Sequence, residues 1–255
     1  MFNLRNIKFA LGAACLLLAA CANAAAVTLA IPGNLPFTSF ENKRVGGVIA
    51  EAAKVVLERM GYQIEAHKMP FPRMYKWIDS GKIDVATSVL ATPERRKYSH
   101  YSNPIITEYT LLVVPRGKAF RLRSIANLHD KKIGGQLGFR YPPLKSAGVK
   151  LIRERSYETN LRKVAAGRID AAIIGSVTGP YLVRLMGLEH KVEFLPVALG
   201  KVDLGIALNA KRFGVSELER FNKTLLEMQA GPEWQRILHS NQVLDLVKKW
   251  PILGE

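Results

Sequence analysis

The residues best equipped for chemistry are Thr92-Pro93-Glu94-Arg95. A threonine N-cap with proline at the first helical position starts a helix and leaves free backbone N–H groups at its mouth. Arg95 adds a planar guanidinium fork that matches a carboxylate bidentately. Such a corner holds a small anion and makes or breaks no bond itself. Catalytic arrangements find less support. The five histidines, His67, His100, His129, His190 and His239, lack metal-ligand spacing, so neither a metal nor a cofactor is expected. Gly-x-Ser-x-Gly, the P-loop and the dinucleotide-binding glycine fingerprint are absent from the sequence. Gly134-Gly135-Gln136-Leu137-Gly138 is glycine-rich but wrongly spaced, and reads as a strand-end turn.

A binding corner needs elements to hold it, and the chain repeats one device. Gly81-Lys82-Ile83-Asp84 and Gly167-Arg168-Ile169-Asp170 each stand between a helical pattern and a short apolar run. The duplication predicts two similar α/β lobes, with ligand in the cleft outside the carboxyl ends of their strands. In the first lobe, a strand over 27–31, a helix over 48–60 and a strand over 62–68 form a βαβ unit with parallel strands. Residues 34–47, opened by Asn34, read as a loop. A helix over 71–80 capped by Gly81, a strand over 83–90 and a helix from Thr92 follow. In the second lobe, strands over 132–135 and 169–174 flank a helix over 157–166, and Gly179-Pro180 opens a helix over 181–186. The apolar runs 111–114 and 202–208 cross between lobes, and helices over 215–229 and 232–247 end the chain. The expected organisation is a first lobe of 25–113 with 206–255, a second of 114–205, and two hinge strands between them.

Composition fits a globular body. Among 255 residues, 48% are hydrophobic and 23% charged, which excludes both a disordered chain and a membrane-embedded one. Residues 1–24 stand apart: basic Arg5 and Lys8, an apolar run, then Ala22-Asn23-Ala24, the pattern of a secretory signal peptide. Export to the periplasm is expected. Cys15 and Cys21 both lie in this segment, so a chain cut after Ala24 has no disulfide. Leu18-Ala19-Ala20-Cys21 is similar to a bacterial lipobox, which leaves lipid anchoring through Cys21 open. Losing Arg5 and Lys8 lowers the net charge from +16 to +14. That field favours anionic partners. Scattered basic residues without interleaved aromatics argue against nucleic acid.

In order along the chain, Pro36-Phe37, Glu51-Ala52-Ala53, Ser80-Gly81-Lys82-Ile83-Asp84, Thr92-Pro93-Glu94-Arg95, Tyr98-Ser99, Ser102-Asn103-Pro104 and Gly167-Arg168-Ile169-Asp170 resemble family 3 extracellular solute-binding proteins. The resemblance spans almost all of the chain after the leader and implies the type II periplasmic-binding-protein fold. It also implies capture of a small solute, delivered to an ABC permease or a sensor, by a monomer. It carries the role of ligand-carboxylate partner onto Arg95, and that of pocket aromatic onto Phe71, with Phe37 ranked lower and Asn34 beside it in the loop.

Three positions depart from the family. Leu90 stands where a hydroxyl residue is usual, with Ser88 two residues earlier. Gly175 replaces an aspartate that pairs with an α-ammonium, with Ser176 beside it, and Gly138-Phe139-Arg140 replaces a Gly-Thr pair. These changes remove an anion and add cations, so Arg95, Arg140 and Arg73 point to a carboxylate-bearing ligand more than to a standard amino acid. Relatives that are periplasmic dehydratases of cyclic carboxylic acids define an enzyme alternative. It needs a carboxylate or histidine in the pocket, and Leu90, Phe139 and Gly175 supply none. A sensory or scaffold clamp is a third reading.

Overall fold

The computed structural model describes residues 25–137, 139 and 141–254, so the leader, Cys15, Cys21, Gly138 and Arg140 lie outside the described residues. Ala26–Ile31 (β1) and Gln63–Lys68 (β4) pair in parallel, with Val27 opposite Ile64 and Leu29 opposite Ala66. They are joined through Val48–Arg59 (α1), whose Ile49, Ala52, Ala53 and Val56 form one buried stripe. Phe71–Ser80 (α2) ends at Gly81, whose φ of 84° is the left-handed cap that glycine adopts at low cost. Val85–Val89 (β5) then pairs with β1.

Residues 34–47 are more ordered than a loop. Ser39–Glu41 (β2) and Arg44–Gly46 (β3) form a hairpin, turned by Asn42 and Lys43 with φ of 50° and 61°. Asparagine tolerates that region, but two three-residue strands are too short to show alternation in sequence. Thr92 also departs from expectation. No full helix follows it, only the single 3₁₀ turn Arg95–Lys97. Arg95, Arg96 and Lys97 offer no apolar stripe to bury, and Ser99–Tyr101 (β6) begins at once.

Ile106–Pro115 (β7) and Gly200–Asn209 (β12), each ten residues, carry the chain between lobes. The second lobe contains Ile133–Gln136 (β8), Pro142–Ser146 (α3), Leu151–Glu154 (β9), Tyr157–Ala165 (α4), Ala171–Gly175 (β10), Thr178–Leu185 (α5) and Val192–Phe194 (β11). Val215–Ala230 (α6) and Pro232–Ser240 (α7) return to the first lobe. Helix α7 stops seven residues before the expected 247. Asn241 instead turns its side chain inward, accepting from Gly47 N and donating to Glu51 Oε1.

The strand order is β4-β1-β5-β12-β7-β10-β8-β9, with β6 on β12 and β11 on β7. Strand β12 pairs with β7 from Gly200 to Leu204 and with β5 from Gly205 to Leu208, so one strand serves both lobes in turn. Each lobe is covered on both faces. In the first, α1, α6 and α7 bury Leu57, Phe221 and Ile237, and α2 buries Met74 and Ile78 against Ala30 and Ala86. In the second, Leu112, Ile133 and Ile173 lie on one face and Leu161, Val164 and Ile174 on the other. This is the type II periplasmic-binding-protein fold, two α/β lobes joined by two hinge strands.

The repeated motif has a structural reason. Asp84 accepts from Thr28 N and Thr28 Oγ1, both at 2.8 Å, at the point where β1 and β5 begin to pair. In the second lobe, Asp170 accepts from Lys132 N at 2.7 Å, where β8 and β10 begin to pair. Each aspartate fastens the start of one parallel strand to its neighbour. The motif is a joint within each lobe.

Candidate functional site

The crossing strands bring the working ends of the two lobes together. Strand β5 ends at Val89, opposite Gly205, and β10 ends at Gly175, opposite Thr110. The β7–β12 register separates those positions by about five residues, or roughly 17 Å of strand at ~3.3 Å per residue. A ligand at this crevice touches both lobes.

On the first-lobe side, Phe71 stacks on Tyr75 with centroids 6.2 Å apart and planes at 21°. The Arg95 guanidinium lies 3.6 Å from the Tyr75 ring centroid, and its Nη1 donates to Leu90 O at 3.2 Å. Phe71 and Arg95 are therefore linked by a residue that sequence reading missed. Its signal was present: Tyr75 is four residues after Phe71, so both rings share one helix face. Thr92 holds the turn, accepting from Arg95 N through its hydroxyl and from Arg96 N through its carbonyl. Burial raises the Tyr75 and Tyr101 hydroxyls, Tyr101 to about 12, so both remain neutral donors at physiological pH. A pocket of about 490 Å³ opens beside Leu90 and Thr92, with Arg96, Tyr101 and Asp203 in its wall.

Other expected residues sit elsewhere. Phe37 is 1% exposed within the first-lobe core, a packing residue. Asn34 turns its carbonyl back to Phe37 N and Thr38 N. Arg73 is exposed beside Trp77, with 5.9 Å from guanidinium to ring centroid, about 200° around α2 from Phe71. Ser88 is buried with φ of 56°, and its hydroxyl has no partner among the described residues. Leu90 is 38% exposed.

On the second-lobe side, Phe139 is exposed and meets Tyr157 edge-on at 5.9 Å. Its carbonyl accepts from Arg153 Nη1 at 2.8 Å, and Arg153 donates also to Gln136 O. Ser176 is occupied, its hydroxyl accepting from Tyr109 N at 3.0 Å as the last rung of β10 on β7.

Gly175 corrects the charge balance expected from sequence. The space a side chain would fill there is taken by the Glu108 carboxylate, reaching across from β7. Glu108 Oε1 accepts from Thr178 N at 2.9 Å, at the start of α5. Although the residue keeps some exposure, its carboxyl group is enclosed. Burial raises its pKa above the ordinary range against the hydrogen bonds from Thr178 and Val177. A carboxylate from a hinge strand thus fills the space beside Gly175, at the end of β10. Sequence reading missed it because glycine and glutamate lie 67 positions apart and meet only through the β7–β10 pairing.

Known proteins share the fold. Among curated proteins, the chain is 27% identical over 226 residues to the arginine-binding extracellular protein ArtP of Bacillus subtilis, covering 84% of this chain and 81% of that one. Among solved structures it resembles the L-cystine solute receptor of Neisseria gonorrhoeae, with a TM-score of 0.70, 20% identity, and 91% and 99% of the two chains covered. A further likeness, at TM-score 0.65, 19% identity and coverage of 88% and 96%, is to the ancestral amino-acid-binding protein AncCDT-1, a precursor of cyclohexadienyl dehydratase. Residues 27–241 match the model of bacterial extracellular solute-binding proteins, family 3, and the chain belongs to that family.

Proposed function

We propose that this protein captures a small carboxylate-bearing solute between its lobes, outside the cytoplasm, and presents it to an ABC-type permease or a sensor. The observation that carries this reading is the Phe71–Tyr75–Arg95 stack at the end of β5. An arginine held over an aromatic ring and by a backbone carbonyl loses little further entropy when it meets a carboxylate. The moving units in this reading are residues 25–113 with 206–255, and residues 114–205. Ligand engaging both lobes favours the closed arrangement, which a membrane partner distinguishes from the open one.

A thermal-shift screen of amino acids, dicarboxylates and aromatic acids tests the proposal. A ligand at a hundred times its dissociation constant adds about 2.7 kcal/mol, or roughly 5 to 10 °C for a chain of this size. No shift from any carboxylate would overturn it. The dehydratase alternative gains one specific feature, since Glu108 is a carboxylate with a raised pKa at the end of β10, where sequence reading found none. Turnover of a prephenate-like acid by the purified protein, abolished in Glu108→Gln, would replace binding by catalysis as the primary role.

A further inference from the structure

We propose that the first lobe carries a second binding site, away from the crevice, for a small amphipathic anion: an apolar body bearing a carboxylate, sulfonate or phosphate head. The site is an open groove of about 740 Å³ lined by the β2–β3 hairpin, α1 and β4. That volume lies in the range of small-molecule sites, about 300 to 1,000 Å³. Phe40 and Val45, cross-strand partners in the hairpin, line it on one element, and Ile64 and Ala66, on one face of β4, on another. All four are half-buried on the first-lobe core and keep part of their apolar surface uncovered. The cations of the groove are Lys43, Arg44 and Lys54, and among the described residues no acidic side chain lines it. Lys54 is engaged by Glu58 at 2.7 Å, and Glu41, the acid of the hairpin, is engaged by Lys68 at 2.7 Å. Lys43 and Arg44 are exposed and enter none of the seven described ion pairs. Two uncommitted cations beside uncovered apolar surface favour an anion whose body covers that surface.

Backbone geometry marks Lys43 independently. It is the second central residue of a two-residue hairpin turn in which both φ values are positive, Asn42 at 50° and Lys43 at 61°. Such turns favour Asn-Gly, because glycine reaches that region at no steric cost. The chain keeps the asparagine and places a lysine where glycine fits best. Strain of that kind collects where a side chain has a task. The groove shares no residue with the Phe71–Tyr75–Arg95 stack or with the pocket beside Leu90, so it is a separate site. Its apolar surface is half-buried while Lys43 and Arg44 are exposed, which suits a discrete molecule entering the groove more than a flat bilayer laid across it.

The test is a fluorescence titration of the exported chain with anilinonaphthalene sulfonate, an anion with an aromatic body, followed by displacement with decanoate. Saturable binding of one probe per chain is expected. Decanoate should displace it at least about 10-fold better than decanol or acetate, which lack the head or the body. Lys43→Glu with Arg44→Glu should weaken probe binding about 10-fold or more. Lys118→Glu with Arg121→Glu, the same charge change on exposed second-lobe residues, should alter it less than about 2-fold at physiological salt, where screening confines the field to about 8 Å. Lys43→Gly gives the sharpest contrast: binding weakens about 3-fold or more while the melting temperature of the free protein rises by about 1 to 3 °C as the turn relaxes. No saturable binding below about 1 mM, displacement by decanol as good as by decanoate, or equal effects of the two charge-reversed pairs overturns the inference. So does a Lys43→Gly chain that binds the probe as tightly as the wild type. Each of these results leaves solute capture in the crevice standing.

Discussion

Arg95 and Gly175 are the single residues on which the proposed site turns. Arg95 is partly exposed and stacked on Tyr75, so its removal leaves little buried surface unsupported. Arg95→Ala is expected to weaken carboxylate binding by about 10- to 100-fold, with the free protein's melting temperature nearly unchanged. Arg95→Lys recovers only part, because an ammonium has no planar fork to lay on the ring. Calorimetry with the best ligand of the thermal screen separates these outcomes. Gly175→Ala behaves differently, since the added methyl displaces the Glu108 carboxylate from Thr178 N. A loss of about 1 to 3 kcal/mol in chemical denaturation is expected, and an unchanged midpoint would contradict the described packing. Arg95 and Phe71 were legible in sequence because their motif and helix are local. Glu108 was not, because its meaning depends on a glycine in another strand.

The elements are fastened by their joints, and the duplicated aspartates give a matched comparison. Asp84 is buried, takes two bonds from Thr28 and pairs with Arg212 at 2.6 Å, whereas Asp170 is exposed and takes one from Lys132. Asp84→Ala is therefore expected to cost about 2 to 3 kcal/mol, and Asp170→Ala about 1 kcal/mol or less. Burial alone would raise the Asp84 carboxyl, but the Thr28 donors and Arg212 together hold it below its usual value. A folded pKa below the unfolded one means stability that is present above about pH 4 and lost as pH falls through the folded value. Melting curves between pH 7 and pH 2 should therefore fall more steeply for the wild type than for Asp84→Asn, and parallel curves would refute the assignment. Long elements such as α1, α2, α6, β7 and β12 announce themselves by sustained apolar periodicity. The β2–β3 hairpin, β6, β9 and β11 have three or four residues each, too few for any period, and pairing with neighbours creates them. The 3₁₀ turn at Arg95 shows the converse: a strong start signal extends no helix without an apolar face to bury.

At the scale of the molecule, the lobes are linked by more than β7 and β12. Val177 and Tyr181, at the start of α5, pack with the first-lobe cluster that contains Phe221 and Leu246. Arg184 on the same helix pairs with Asp245 at 2.8 Å and donates to Gln242 O. The chain end also returns to the second-lobe side, where Ile252 bridges to Ala198. Helix α5 is then both the element that Glu108 caps and the element that touches the opposite lobe. The Arg184–Asp245 pair is solvent-exposed on both sides and worth at most about 1 kcal/mol. Its loss should bias the lobes toward separation without unfolding either. Arg184→Ala is expected to weaken ligand affinity by about 2- to 5-fold at low salt, with a smaller effect at high salt as screening removes the wild-type advantage. Small-angle scattering should show the variant more extended without ligand and indistinguishable from wild type at saturation. If the two proteins scatter alike without ligand while affinity still falls, α5 acts on the site directly and the coupling through lobe closure is wrong.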